Sequence, residues 1–209
     1  MKYDYLTDGA EIYRRSFATI RAEADLSALP DDVSGVAVRM IHAAGQTDLP
    51  ADLAFSPRVV TACREALQAG APILCDSTMV ATGIIRSRLP AANEIICHLG
   101  EPSLAQLAAE LGTTKTAAAV ERWRPRLEGS VVAIGNAPTA LFHLLEVIAE
   151  SGLRPAGVLG MPVGFVGAAE SKQALIDSDL ALEYLVLKGR RGGSAITVAA
   201  VNAIASAAE

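Results

Sequence analysis

From Ser130 onward the chain alternates short, continuously apolar runs with longer runs of helical period. Val131-Val132-Ala133-Ile134, Ala156-Gly157-Val158-Leu159-Gly160 and Tyr184-Leu185-Val186-Leu187 read as strands. Residues 138–149, 167–176 and 194–207 read as the helices that follow them. A strand that is apolar at every position leaves no face for water. Such strands, separated by helices, predict a parallel sheet covered on both sides. Upstream, Pro72-Ile73-Leu74-Cys75-Asp76 and residues 93–99 add two strands. A brief helix over 77–81, ended by Gly83, follows the first of these, and helices over 104–111 and 114–127 follow the second, separated by Gly112.

The amino-terminal third is helical in pattern. Residues 7–28 predict a helix capped by Thr7, with Asp8 and Glu11 in its first turn and Ile12, Phe17, Ile20 and Ala24 as its apolar stripe. Residues 32–44 predict a second, with Val33, Val36, Ala37 and Met40 inward and Gly45 as its stop. A polar connection over 46–55 leads to Ser56-Pro57, which reads as an N-cap with proline at the first helical position. That helix ends at Gly70. No linker or internal repeat interrupts the pattern, so residues 1–209 are expected to form one domain.

Composition narrows the class. Hydrophobic residues make up 51% of the chain and aromatics only 4%, which suits close-packed, alanine-rich helices. The net charge of −5 argues against nucleic acid or an anionic membrane held by bulk electrostatics. No run approaches the ~18 apolar residues of a membrane span, and the amino-terminal segment has no apolar signal region. The expectation is a cytoplasmic protein. Cys63, Cys75 and Cys97 are odd in number and lack CxxC spacing, which argues against disulfides and zinc and for free thiols.

Candidate chemistry gathers at two places. Arg39 and His42 lie three residues apart, on one helix face. An imidazole there can move a proton near neutral pH, and a guanidinium beside it can grip a carboxylate with two hydrogen bonds. The same spacing also suits a solvated pair at a helix end. Ser16, beside Tyr13, Arg14 and Arg15, can bond a ligand carboxylate or its own backbone. Three glycine-rich strand-to-helix turns form the second place: Gly135-Asn136-Ala137-Pro138-Thr139, Gly160 to Gly167, and Gly189-Arg190-Arg191-Gly192-Gly193-Ser194. In a parallel sheet such turns share the carboxyl edge, where ligands bind. None matches a dinucleotide or Walker fingerprint, and no Gly-x-Ser-x-Gly elbow surrounds a serine. His98 and His143 read as core or rim residues, and Trp123 among Arg122, Arg124 and Arg126 as part of a solvated basic helix.

Together these segments resemble the precorrin-8X methylmutase family over nearly the whole chain. The likeness is carried by Tyr13-Arg14-Arg15-Ser16-Phe17, Val38-Arg39-Met40-Ile41-His42, Pro72 to Asp76 with Met79-Val80, and Val132 to Leu141. It is carried further by Gly160-Met161-Pro162-Val163-Gly164-Phe165-Val166-Gly167-Ala168-Ala169-Glu170-Ser171-Lys172 and Gly189 to Ser194. The resemblance implies a Rossmann-like, three-layer α/β/α fold with a mainly parallel sheet, additional amino-terminal helices and a homodimer. It implies an isomerase that moves a methyl group from C11 to C12 of precorrin-8X, giving hydrogenobyrinate, with no metal or organic cofactor. The family's catalytic histidine falls on His42, and its substrate-contacting serine and arginine fall on Ser16 and Arg39.

The expected substrate is apolar inside and strongly anionic at its rim. Met79, Met161, Val163, Phe165 and Val166 are expected to line an apolar slot, with Tyr13 and the Gly164 turn completing it. Lys115, Lys172, Arg190 and Arg191 are expected at its rim. Lys115 stands in Thr114-Lys115-Thr116-Ala117, where the family pattern has arginine; lysine keeps the charge and loses the fork.

Overall fold

The computed structural model describes residues 1–206. Six strands form one sheet in the order β1-β6-β5-β4-β2-β3. Strands β2 (Ile73–Cys75), β3 (Ile95–Ile96), β4 (Val131–Ile134), β5 (Gly157–Gly160) and β6 (Tyr184–Leu187) run parallel. Strand β1 (Leu53–Phe55) closes one edge antiparallel to β6, pairing Leu53 with Leu187. It falls in the segment expected to be a connection, and at three residues it is too short to show a period.

Successive side chains on a strand point to opposite faces, and two cores follow. Ile73, Val131, Ala133, Leu159 and Leu185 face helices α1 (Gly9–Glu23), α2 (Asp31–Ala44), α3 (Val59–Gln68) and α9 (Ser194–Ala205). Leu74, Val132, Ile134, Val158 and Val186 face α7 (Pro138–Ser151) and α8 (Ala168–Ile176). Beyond α7 lie α5 (Leu104–Glu110) and α6 (Lys115–Glu121). Helix α4 (Thr78–Gly83) packs on α9, and α2 lies along α9 as well. The three-layer, mainly parallel α/β/α arrangement expected from the resemblance is therefore present, with the amino-terminal helices folded onto the α9 side.

The boundaries differ where distant partners decide. Helix α1 is capped by Asp8, whose carboxylate accepts from the Ala10 and Glu11 N–H groups, rather than by Thr7. It stops at Glu23, because Asp25 takes both the Ser27 hydroxyl and N–H in a local turn. Ser56 caps no helix. Its hydroxyl meets Glu183 and accepts from the Tyr184 N–H, fastening the start of α3 to β6. The expected helix over 114–127 ends at Glu121 and continues as a 3-10 turn at Arg124–Arg126, where Pro125 has no N–H to extend it. Trp123 is fully buried in the core under α7 and is not part of a solvated face. His143 bonds Glu121 and Glu146, and His98 bonds Glu101. Residue 207, the expected end of the last helix, lies outside the described residues.

Candidate active site

Helix α1 presents Tyr13, Ser16 and Phe17 to the carboxyl-terminal half of α2, where Arg39 and, in the last turn, His42 project. Positions three and four apart share a helix face, so each helix contributes one row. The Ser16 Oγ lies 2.8 Å from His42 Nδ1. The His42 ring packs against two aromatic rings, its centroid 5.3 Å from that of Tyr13 and 5.1 Å from that of Phe17. The Arg39 guanidinium sits 5.4 Å from the Phe17 ring centroid. Gly45 takes a left-handed conformation at φ 65° directly after α2, and so ends the helix one turn past Arg39.

With Nδ1 engaged by Ser16, Nε2 is the ring nitrogen left to face a ligand. His42 lines a cavity of about 160 Å³ together with Tyr13, Arg39, Ala195, Val198 and Asn202. Ala195 belongs to the first turn of α9, immediately after the third glycine turn. The imidazole therefore stands beside the carboxyl edge of the sheet, which brings together the two places where candidate chemistry gathers in the sequence. Burial, and then the Arg88 charge, hold the Arg39 guanidinium below its usual range. The charge of a carboxylate bound there would oppose that shift.

The three glycine turns do not play one part. In the first, the buried Asp76 at the end of β2 fills the turn from inside. Its Oδ1 accepts from the Gly135 N–H at 2.9 Å, and its Oδ2 accepts from Asn136 at 2.8 Å and Ala137 at 2.7 Å. A turn whose donors are spent on its own protein is a structural nest, not a ligand loop. Burial pushes the Asp76 carboxyl up, and the three N–H donors oppose that shift.

The second and third turns are knitted together. The Gly164 N–H donates to the Arg190 carbonyl at 3.2 Å, and the Gly193 N–H to the Met161 carbonyl at 2.9 Å. Gly192 has φ 156°, and a Cβ there would come within 2.3 Å of the Met161 carbonyl oxygen. Outward from this seam, Val163, Phe165 and Val166 are exposed, the last two at 86% and 88%, and the Arg190 guanidinium lies 5.4 Å from the Phe165 ring centroid. Met79, on α4, is exposed as well.

Three expected slot or rim residues, Met161, Lys172 and Arg191, are engaged within the protein itself. Met161 is wholly buried in the α9-side core. Lys172 is buried too, and its Nζ donates to the Arg191 carbonyl at 2.6 Å. The Arg191 fork is taken by Asp48, Asp52 and Gln46, which clamps the third turn to the segment just beyond His42. Lys115 is exposed at the start of α6, on the α7 side of the sheet, where Thr114 and Thr116 bond Thr139.

Lys172 carries a pH signature. Burial drops its pKa from 10.5 to about 8. The unfolded chain then binds more protons than the folded one between those values, so stability rises with pH across that window and falls back as pH drops through 8. Discounted for partial solvent screening, the gain is about 1–2 kcal/mol. Lys172→Met should lack it. The melting-temperature difference between wild type and variant should widen by roughly 3–6 °C in favour of wild type from pH 7.5 to 10. A constant difference would mean the ammonium is solvated in the folded protein.

Comparison with known proteins identifies the family. Residues 11–207 match the family model described as CbiC: Precorrin-8X methylmutase. The chain belongs to the precorrin-8X methylmutase family. These are isomerases of cobalamin biosynthesis. The chain is 58% identical over 206 residues to the precorrin-8X methylmutase of Pseudomonas aeruginosa, covering 99% of each chain. It is 34% identical over 200 residues to the cobalt-precorrin-8 methylmutase of Priestia megaterium, covering 95% of this chain and 88% of that one. A solved structure of the Thermus thermophilus precorrin-8X methylmutase superposes with a TM-score of 0.85 at 40% identity, covering 94% and 95% of the two chains. Among the described residues no helix is long and apolar enough to cross a membrane.

Sequence reasoning overlooked Phe17 as part of the site and gave Asp76 no role. Phe17 read as a stripe residue and as part of a shared motif, with no role in the site. An aspartate closing an apolar strand, with a Gly-Asn-Ala turn on a neighbouring strand, was the available signal for Asp76.

Proposed function

We propose that this methylmutase moves the methyl group of precorrin-8X from C11 to C12, giving hydrogenobyrinate. The observation that carries the reading is the Ser16-to-His42 contact at 2.8 Å, set between two aromatic rings and beside Arg39. The rearrangement is intramolecular. The bond from the methyl carbon to C11 breaks as the bond to C12 forms, and no group is gained or lost. What a protein can add is a proton placed on the conjugated ring and later recovered. His42 donates it from Nε2 while Ser16 fixes the ring through Nδ1. Tyr13 and Phe17 hold the imidazole against rotation, and Arg39 receives a carboxylate of the substrate.

Met79, the Gly164 turn and Arg190 border the macrocycle from the glycine seam, and Lys115 serves its far rim as a point charge rather than a fork. Residues 1–209 act as a single cytoplasmic domain. It works as a homodimer, whose second copy covers the exposed Phe165 and Val166. The greater likeness to a relative named for the metal-free substrate than to one named for the cobalt form supports the metal-free choice.

Catalytic amounts of the protein, mixed with precorrin-8X, should convert all of it, with the change in visible absorption that a rearranged ring system brings. Binding that saturates at one ligand per site without conversion would make the chain a corrinoid carrier.

A further inference from the structure

Behind the His42 cavity lies a larger one, of about 360 Å³, walled by three guanidinium groups: Arg14 from α1, Arg39 from α2 and Arg88 from the turn after α4. Its floor is apolar, made by Tyr13, Phe17 and Ile85. Tyr13 and Arg39 line both cavities, so the two are neighbours across one wall. Asn202 of α9 completes that wall. Its carbonyl accepts from Arg88 Nε at 3.4 Å, and its side chain accepts from the Ile85 N–H at 2.9 Å. A second bond, from Arg88 Nη2 to the Ser206 carbonyl at 3.2 Å, fixes the guanidinium further. Arg14 is held at the mouth by Glu11, at 2.6 Å.

Burial, and after it the neighbouring Arg88 charge, hold Arg39 below its usual range, so part of the cost here comes from gathering like charges. A protein of net charge −5 that concentrates three arginines around one small apolar-floored cavity has built a site for an anion. A volume near 360 Å³ is at the small end of ligand sites, about 300–1,000 Å³, too small for a macrocycle and ample for one flexible acidic arm.

We propose that this arginine cavity, with Arg88 as its buried-side donor and Arg14 as its exposed one, is a carboxylate subsite that anchors one acidic side arm of the tetrapyrrole while the ring lies over His42. The inference rests on the function proposed above and extends it to two residues outside the recognised motif roles. Arg88 acts on binding and orientation and has no part in the proton transfer.

Hydrogenobyrinate titrated into the protein, followed by its visible absorption, tests the assignment. Arg88→Gln should raise Kd roughly 10–100-fold, the loss expected of one charge-assisted pair, and kcat at saturating precorrin-8X should fall less than about threefold. Arg14→Gln should raise Kd about 3–10-fold with an unchanged melting temperature, because this side chain is two-thirds exposed and, among the described residues, its ion pair lies within its own helix. Kd values within twofold of wild type in both variants would overturn the subsite. Should Arg88→Gln melt early through its lost bonds to α9, the Arg14→Gln titration decides alone. A wild-type protein that fails to bind hydrogenobyrinate would instead sink the functional reading, and the subsite with it.

Discussion

Replacing His42 by alanine should lower turnover of precorrin-8X by about 10²–10⁴-fold, the usual contribution of one positioned acid, while Kd for hydrogenobyrinate changes less than about fivefold. The split follows from the division of labour in the site. On the proposed mechanism, Arg39 and the glycine seam meet the anionic rim and the ring face, and the imidazole meets one ring atom. Folding should be almost unaffected, because His42 is exposed at the last turn of α2 and its removal opens no core cavity. Ser16→Ala supplies the matching control. It leaves the imidazole in place without its Nδ1 partner, so turnover should fall by roughly 3–30-fold, well short of the loss in His42→Ala. Near-normal turnover in His42→Ala would remove the imidazole from the mechanism and leave ring orientation as the whole of catalysis.

The parts of the fold that could be read directly are those governed by neighbours in sequence. The repeated strand and helix units after Ser130 are legible because an apolar run of four and a helix of nine or more carry their own period. What could not be read depends on distant partners. Ser56 looks like a helix cap until Glu183, 127 positions away, claims it. Strand β1 exists because β6 offers an edge to it, and three residues cannot announce that. Lys172 and Arg191 read as rim cations because both stand in glycine-rich motifs. Only the packing of the turn against Asp48 and Asp52 shows that their charges brace the loop. The site was legible to the same degree: Arg39 and His42 share a face by spacing, but that Ser16 and Phe17 meet them depends on how α1 docks on α2.

Asp76→Asn should destabilise the fold by about 2–4 kcal/mol, or roughly 5–15 °C in melting temperature, although it changes one oxygen to one nitrogen. The carboxylate is surrounded by donors only. Two N–H groups, of Asn136 and Ala137, point at Oδ2, and one, of Gly135, points at Oδ1. An asparagine can keep its carbonyl at the first position, but its NH₂ must then face the Gly135 N–H, donor against donor. Turning the amide over leaves two N–H groups unpaired instead of one. No third orientation fits, because the residue is 1% exposed and the turn it fills is pressed between β2 and β4. Gly135 has no room to back away either. A Cβ added there would lie 2.7 Å from the Thr197 hydroxyl and 3.0 Å from the Ser194 Cα, both in the first turn of α9. That helix end also carries Ala195, in the wall of the His42 cavity. The strain from Asp76→Asn should therefore reach the site, so that KM for precorrin-8X rises several-fold more than kcat falls. An unchanged melting temperature would show that the carboxyl is already neutral in the folded protein. The nest at β4 would then hold its shape without the charge, and the site would owe it nothing.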